Sequence, residues 1–175
     1  MARSFTDTSD KPDAIALLKA DHRKVEDLFE QFENAKGDGK KQKIAEQICL
    51  ELKVHAMIEE EIFYPACEGA VEDDMLKEAY VEHDGAKLLI NEIEAGGPDD
   101  AFYDAKVKVL SEEIEHHVEE EEKRVEGMFS QARKAGLDMD DLGERMLARK
   151  EELMEQAKTT GLGPAQTTTM AQPTA

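Results

Sequence analysis

His55 with Glu59, and again His117 with Glu121, form two copies of His-x-x-x-Glu in this chain. A four-residue gap is one helical turn, so each pair projects an imidazole and a carboxylate from one helix face. His22 and His83 stand alone on two further helical stretches. All six occupy positions where a bundle helix presents a core leucine. Burying that many polar groups is costly unless something satisfies them. A metal centre inside a helical bundle satisfies all six at once.

Imidazole suits iron, zinc, copper and nickel, whereas bridging carboxylates favour a pair of hard or borderline ions. Four nitrogen and two carboxylate ligands are too many for one tetrahedral zinc. They suit two ions about 3.5–4 Å apart, each held by two histidines and both spanned by the glutamates. That count leaves positions for a bridging oxygen and an exogenous ligand. Ferritin-like di-iron bundles carry Glu-x-x-His on two helices. Here the order is reversed, and the one Glu-x-x-His match, Glu113/His116, falls outside the apolar seam with Glu120.

The elements that position these residues read as helices nearly throughout, with no strand-like alternation. The first spans Pro12 to Ala35, with Asp10 as its cap and Pro12 in its first turn. Its seam is Ile15, Leu18, His22, Val25, Phe29 and Phe32. The second spans Lys40 to Cys67, kinked or ended by Pro65, with Ile48, Leu52, His55, Glu59 and Ile62 inward. The third spans Glu72 to Ala95 and carries Leu76, Ala79, His83, Ala86 and Ile90. It stops at Gly96-Gly97-Pro98. The fourth spans Asp100 to Ala135 with Val107, Leu110, Ile114, His117, Glu121 and Met128 inward, and Arg124 interrupts near its end. A shorter fifth helix, from Asp138 to Lys158, aligns Met139, Leu142, Met146 and Leu153.

Long helices joined by short connections make antiparallel neighbours. The expected fold is all-α: an up-down-up-down four-helix bundle over residues 12–136, an accessory helix over 137–158, and a disordered tail over 159–175. The fifth helix is expected to pack on the outside or to meet a protein partner. Closing the hairpins brings the histidines to similar depths. The third hairpin fits worst, with a mismatch of roughly 7 Å at 1.5 Å per residue. A fourth helix that starts beyond the end of the third absorbs it.

Composition excludes several classes. The 175 residues suffice for one domain with a sizeable core, and no run approaches a membrane span. The formal net charge of −19 argues against nucleic acid and anionic membranes as partners. The first ten residues contain no apolar h-region, and Cys49 and Cys67 show no CxxC spacing. A cytoplasmic location is therefore expected.

At the residues just described the chain resembles the hemerythrin-like proteins of the HHE cation-binding type. The resemblance rests on Asp21-His22, on His55 through Glu59 followed by Tyr64-Pro65, on Glu82-His83, and on His117 through Glu121, and it covers about Ala14 to Phe129. It implies two non-haem iron ions with an oxo-type bridge, held by His22, His55, Glu59, His83, His117 and Glu121. It also implies a role in binding or reacting with dioxygen, nitric oxide or peroxide, in redox or iron sensing and stress protection.

Departures from the oxygen carriers matter. Lys87 stands where they place a second histidine on the third helix, and Glu121 stands where they place an aspartate one residue later. Two histidines per metal then leave both ions open, which favours peroxide reactivity over reversible oxygen carriage. Glu60 is an alternative ligand, and Tyr64 and Tyr80 lie near the same level. Two other readings stay open at this point. One is iron storage or buffering without turnover; the other is a metal-free acidic interaction module.

Overall fold

A computed structural model describes residues 11–171. Its helices are α1 (Ala14–Asn34), α2 (Asp38–Ile58), α3 (Tyr64–Cys67), α4 (Asp73–Gly96), α5 (Tyr103–Glu122), α6 (Met128–Lys134) and α7 (Met139–Thr159). No strand occurs among the described residues, and no helix among them is long and apolar enough to cross a membrane. The long helices α1, α2, α4 and α5 form the bundle, each beside the next and α5 back beside α1.

Asp13, not Asp10, caps α1: its side chain accepts the Ala16 amide at 2.8 Å, which leaves Pro12 outside the helix. Asp10 lies outside the described residues. From Asp38 to Cys67 the chain is one helical rod, interrupted by a π-helical turn, Glu59–Phe63. There the Tyr64 amide reaches back to the Glu59 carbonyl. Pro65 has no amide to give and its ring would press on the preceding turn, so widening that turn lets the rod continue. The sequence reading of a kink at Pro65 becomes a π-turn that begins at Glu59, one of the expected ligands.

The fourth bundle helix is shorter than its periodicity suggests. It ends at Glu122, Lys123 is extended, and α6 begins only at Met128. Gly127 makes the corner, because a Cβ there would lie 2.5 Å from the Lys123 carbonyl oxygen. The break turns Phe129 onto His22, with near-parallel rings 6.0 Å apart. At its other end α5 starts at Tyr103, after a 3-10 turn at Gly97–Asp99. That late start removes the depth mismatch: His83 lies 13 residues before the end of α4 and His117 lies 14 after the start of α5.

Helix α7 is capped by Asp138 and packs on α1, α2 and the π-turn. Met139, Leu142, Met146 and Leu153 are all buried there, so this face is covered by the bundle and is not free for a partner. Gly143 permits the approach, since a Cβ would stand 2.6 Å from the Pro12 carbonyl oxygen. Arg149 grips Glu61 at 2.7 and 3.2 Å, and Lys150 pairs with Asp21.

Residues 160–171 correct the expectation of a disordered tail. They form no helix, as their composition suggests, but they lie along the bundle as a strap. Gly163 and Ala165 bond to Lys53 and Asn91, and the amides of Thr168, Thr169 and Met170 converge on Asp84. Those bonds outweigh burial and hold the Asp84 carboxyl at about 2. A buried carboxylate that collects several amides is a strong anchor for otherwise unstructured chain.

The apolar core is in two parts. One gathers Ile58, Phe63, Tyr64, Met128, Phe129 and the inner face of α7. The other gathers Val25, Leu52, Ile90, Val107 and Leu110 toward the opposite end. The expected ligands lie between them.

Candidate metal centre

The bundle brings all six expected residues into two adjoining groups. His22, His55, Glu59 and Glu121 form one, and Glu59, His83 and His117 form the other, with ligand atoms in each group within 4.8 Å of one another. Every member is buried, Glu59 and Glu121 to 0% and 1% exposure. Each histidine comes from a different bundle helix, because each of those helices devotes one inward seam position to it.

The histidines meet as two facing pairs. Nε2 of His22 lies 3.2 Å from Nε2 of His55, and Nε2 of His83 lies 3.1 Å from Nε2 of His117. Two imidazole lone pairs cannot face each other at this distance; a proton or a metal ion has to stand between them. Glu59 Oε2 serves both pairs, 3.3 Å from His55 and 3.1 Å from His83. Glu121 divides itself: Oε2 is 3.3 Å from His22 and Oε1 is 3.4 Å from His117. Glu59 Oε1 and Glu121 Oε2 are buried without a hydrogen bond, which fits carboxylates that hold a cation.

The charges of the cluster are strongly coupled. Burial opposes charge on His55, yet Glu59 and Asp21 push its imidazolium up to about 10. At His117 burial is likewise outweighed, chiefly by Glu121, and the shift is upward. Burial and the nearby Glu121 work against ionised Glu59, but His55 and His83 hold it at about 2. Glu121 is held well below the usual carboxylate range despite burial, first by His117. Two ionised carboxylates sealed in a core require positive charge beside them.

A ring of further carboxylates supports the outer nitrogen of every histidine; of these the sequence reading weighed only Glu60, and as an alternative ligand. Glu122 lies 2.7 Å from Nδ1 of His22, Asp21 3.5 Å from that of His55, Glu60 2.9 Å from that of His83, and Glu82 2.6 Å from that of His117. A carboxylate on Nδ1 places the proton there and leaves the Nε2 lone pair aimed at the centre. The supports run in a closed cycle. Helix α1 supports the histidine of α2, the π-turn supports that of α4, α4 supports that of α5, and α5 supports that of α1. The signal was present in the chain, since each support is the sequence neighbour of a ligand on its own helix: Asp21-His22, Glu59-Glu60, Glu82-His83, Glu121-Glu122. Glu60 is thus placed behind His83, not among the facing atoms.

Tyr64 goes further in than the sequence reading put it. Its hydroxyl lies 3.0 Å from Glu121 Oε1, 3.2 Å from Glu59 Oε2 and 3.1 Å from His83 Nε2, within the second group. The π-turn delivers it, by adding a residue between Glu59 and Tyr64. Burial and both carboxylates push its phenol well above the ordinary value. Tyr80 stops short and packs its ring on Tyr64 at 5.1 Å. His116 points outward at 3.3 Å from Glu82, and Lys87 turns to Glu60 at 2.7 Å. Cys49 and Cys67 are separate buried thiols, each pushed up to about 12 mainly by burial.

Comparison with known proteins gives the same answer. A solved hemerythrin HHE cation-binding domain-containing protein from Mycobacterium kansasii shares the fold, with a TM-score of 0.71 at 20% identity, over 88% of this chain and 97% of that one. A DNA nickase from Nostoc is 31% identical over 121 residues, 68% of this chain and 34% of the relative. The chain thus spans about a third of that relative's length. The family described as Hemerythrin HHE cation binding domain matches residues 13–129, which include all six expected ligands, all four supports and Tyr64. With that match covering two thirds of its length, this chain belongs to the hemerythrin HHE cation-binding domain family.

Proposed function

We propose that the chain is a non-haem di-iron protein that binds or reacts with dioxygen, nitric oxide or peroxide, in redox or iron sensing and stress protection. The observation that carries this reading is the pair of facing Nε2 contacts, 3.2 and 3.1 Å, with Glu59 shared between them. Two such pairs support a reading with two cations. His22 and His55 would hold the first, His83 and His117 the second, with Glu59 and Glu121 spanning both. The Tyr64 hydroxyl, against Glu59, His83 and Glu121, would offer a hydrogen bond beside the second. Mixed nitrogen and carboxylate donors without thiolate fit iron. Two iron ions would supply one-electron steps to a small bound oxygen or nitrogen species.

The residues supply the rest. A cavity of about 20 Å³ adjoins the four histidines and is walled by Val25, Leu52, Ile90, Ile114 and Val118. It accommodates about one water-sized molecule. Tyr64 Oη holds a proton 3.0 Å from Glu121, where it can be donated to or accepted from a ligand. The Nδ1–carboxylate pairs fix the histidine rings through any change of charge at the centre.

Metal analysis of protein purified without added metal, with a visible spectrum before and after peroxide, tests this. Two irons per chain with a charge-transfer band that peroxide shifts supports it. One zinc with a featureless spectrum overturns it, and many irons per chain would transfer the reading to storage. Nucleic acid is not proposed as a partner: 41 acidic residues against 22 basic ones would repel a polyanion. A cytoplasmic location remains part of the proposal, on cysteine usage alone.

A further inference from the structure

The strap covers one way into the centre. Asp84, fully buried on α4, accepts the amides of Thr168, Thr169 and Met170 at 2.8, 2.5 and 2.8 Å and the Thr169 hydroxyl at 2.7 Å. Asn91 pairs both ways with Ala165 at 2.9 and 2.8 Å. Between these anchors and the bundle lies a cleft of about 240 Å³, lined by Lys53, Met57, Glu60, Lys87 and strap residues 162–166. Lys87 also lines the inner cavity beside the four histidines. Lys87 is therefore the side chain common to the walls of the outer cleft and the inner cavity.

The Lys87 ammonium is held there by Glu60 at 2.7 Å, Asp84 at 3.3 Å and Thr168 at 3.4 Å. Glu60 in turn accepts the Thr168 hydroxyl at 2.6 Å and supports His83 at 2.9 Å. Strap, Lys87 and ligand histidine are thus joined by three direct contacts. On the far side of the centre the cavity between Met75, Glu82 and His117 is only about 10 Å³, no wider than a water.

We propose that the cleft under the strap is an access vestibule to the metal pocket, that Lys87 is its inner gate, and that the strap controls passage through it. The solute it suits is small, neutral and able both to donate and to accept hydrogen bonds, the class of hydrogen peroxide. Lys53 and Lys87 offer donors, Glu60 and the Gly163 carbonyl offer acceptors, and the net charge of −19 opposes free anions. This rests on the proposed ligand-binding role of the site, but the test needs no metal.

The substitution Ala86→Cys puts a thiol on the inner cavity wall. Its reaction with methyl methanethiosulfonate, a small neutral reagent, is followed by peptide mass in the full chain. The native Cys49 and Cys67, both buried elsewhere, serve as internal gauges of general loosening. Adding Asp84→Ala or, more mildly, Asn91→Ala releases the strap. Because a gated site reacts in proportion to its open fraction, each release should speed the introduced thiol about tenfold or more and leave Cys49 and Cys67 unchanged. Met75→Ala, on the far side, should not. Equal rates with the strap held or released overturn the proposal, as does acceleration by Met75→Ala alone or in step with the native thiols. Such a failure leaves the iron content untouched, so it is distinguishable from failure of the di-iron reading.

Discussion

Glu82 lies 2.6 Å from Nδ1 of His117, on the neighbouring helix, while its own sequence neighbour His83 faces that same histidine through Nε2 at 3.1 Å. Adjacent residues on one helix thus grip the front and the back of a single imidazole on another. The same construction recurs around the bundle, and it makes the rigidity of each ligand depend on a second helix. Metal affinity is expected to fall when either hand of this grip is removed.

The front is tested by His55→Ala and Glu121→Ala. Each removes one member of a buried set and leaves the others unpaired, so both should lose bound metal and melt at lower temperature. His116→Ala should do neither, because that ring is 64% exposed and faces away. Metal content of the purified variants and thermal melts decide it; full retention in His55→Ala and Glu121→Ala would defeat the ligand assignment.

The back is tested by Glu82→Ala. Its loss frees the His117 ring and the proton on Nδ1, which should weaken metal binding about 10–100-fold, with Glu82→Gln in between because its carbonyl still accepts. Competition against a chelator measures this. A variant that holds metal as tightly as the native chain would show that Glu82 does not position His117 for the metal.

The start of α1 gives a pH dependence away from the metal. Burial opposes the charge on Asp13, but the Ala16 amide and the Arg133 guanidinium at 2.8 Å win and hold its pKa below 3.8. A carboxylate lowered on folding adds stability that is complete above the unfolded value and disappears as pH falls through the folded one. Asp13→Asn keeps a capping oxygen and loses the charge. Its deficit in denaturant melts should be constant above about pH 5 and should close as pH drops below 3.8. A deficit that persists at pH 2 would show that the charge is not its source.

Gly143 is expected to be intolerant of a methyl group. An added Cβ would stand 2.6 Å from the Pro12 carbonyl oxygen and 2.7 Å from the Ala14 amide nitrogen, both backbone atoms. Gly143→Ala should cost about 1–3 kcal/mol, although alanine is the better helix former. That is a fall of roughly 2–12 °C in melting temperature for a chain of this size. Gly39→Ala, with open space around it, provides the contrast.

The sequence by itself determined the helices, the inward seam and the six metal-ligand candidates, because each depends on spacing within one helix. His55 and Glu59 share a face whatever else the chain does, and glycine and proline mark where most helices stop. Tertiary structure decided what depends on residues distant in sequence. The cycle of supports needs Glu122 beside His22 and Glu82 beside His117, contacts that periodicity does not encode. The π-turn that carries Tyr64 into the cluster, and the break at Gly127 that lays Phe129 on His22, are departures from 3.6-residue repetition made tolerable only by packing. The strap is the clearest case. Gly, Pro, Thr and Ala in residues 160–171 have no tendency of their own to order, and Asp84, on α4, supplies the buried charge that orders them.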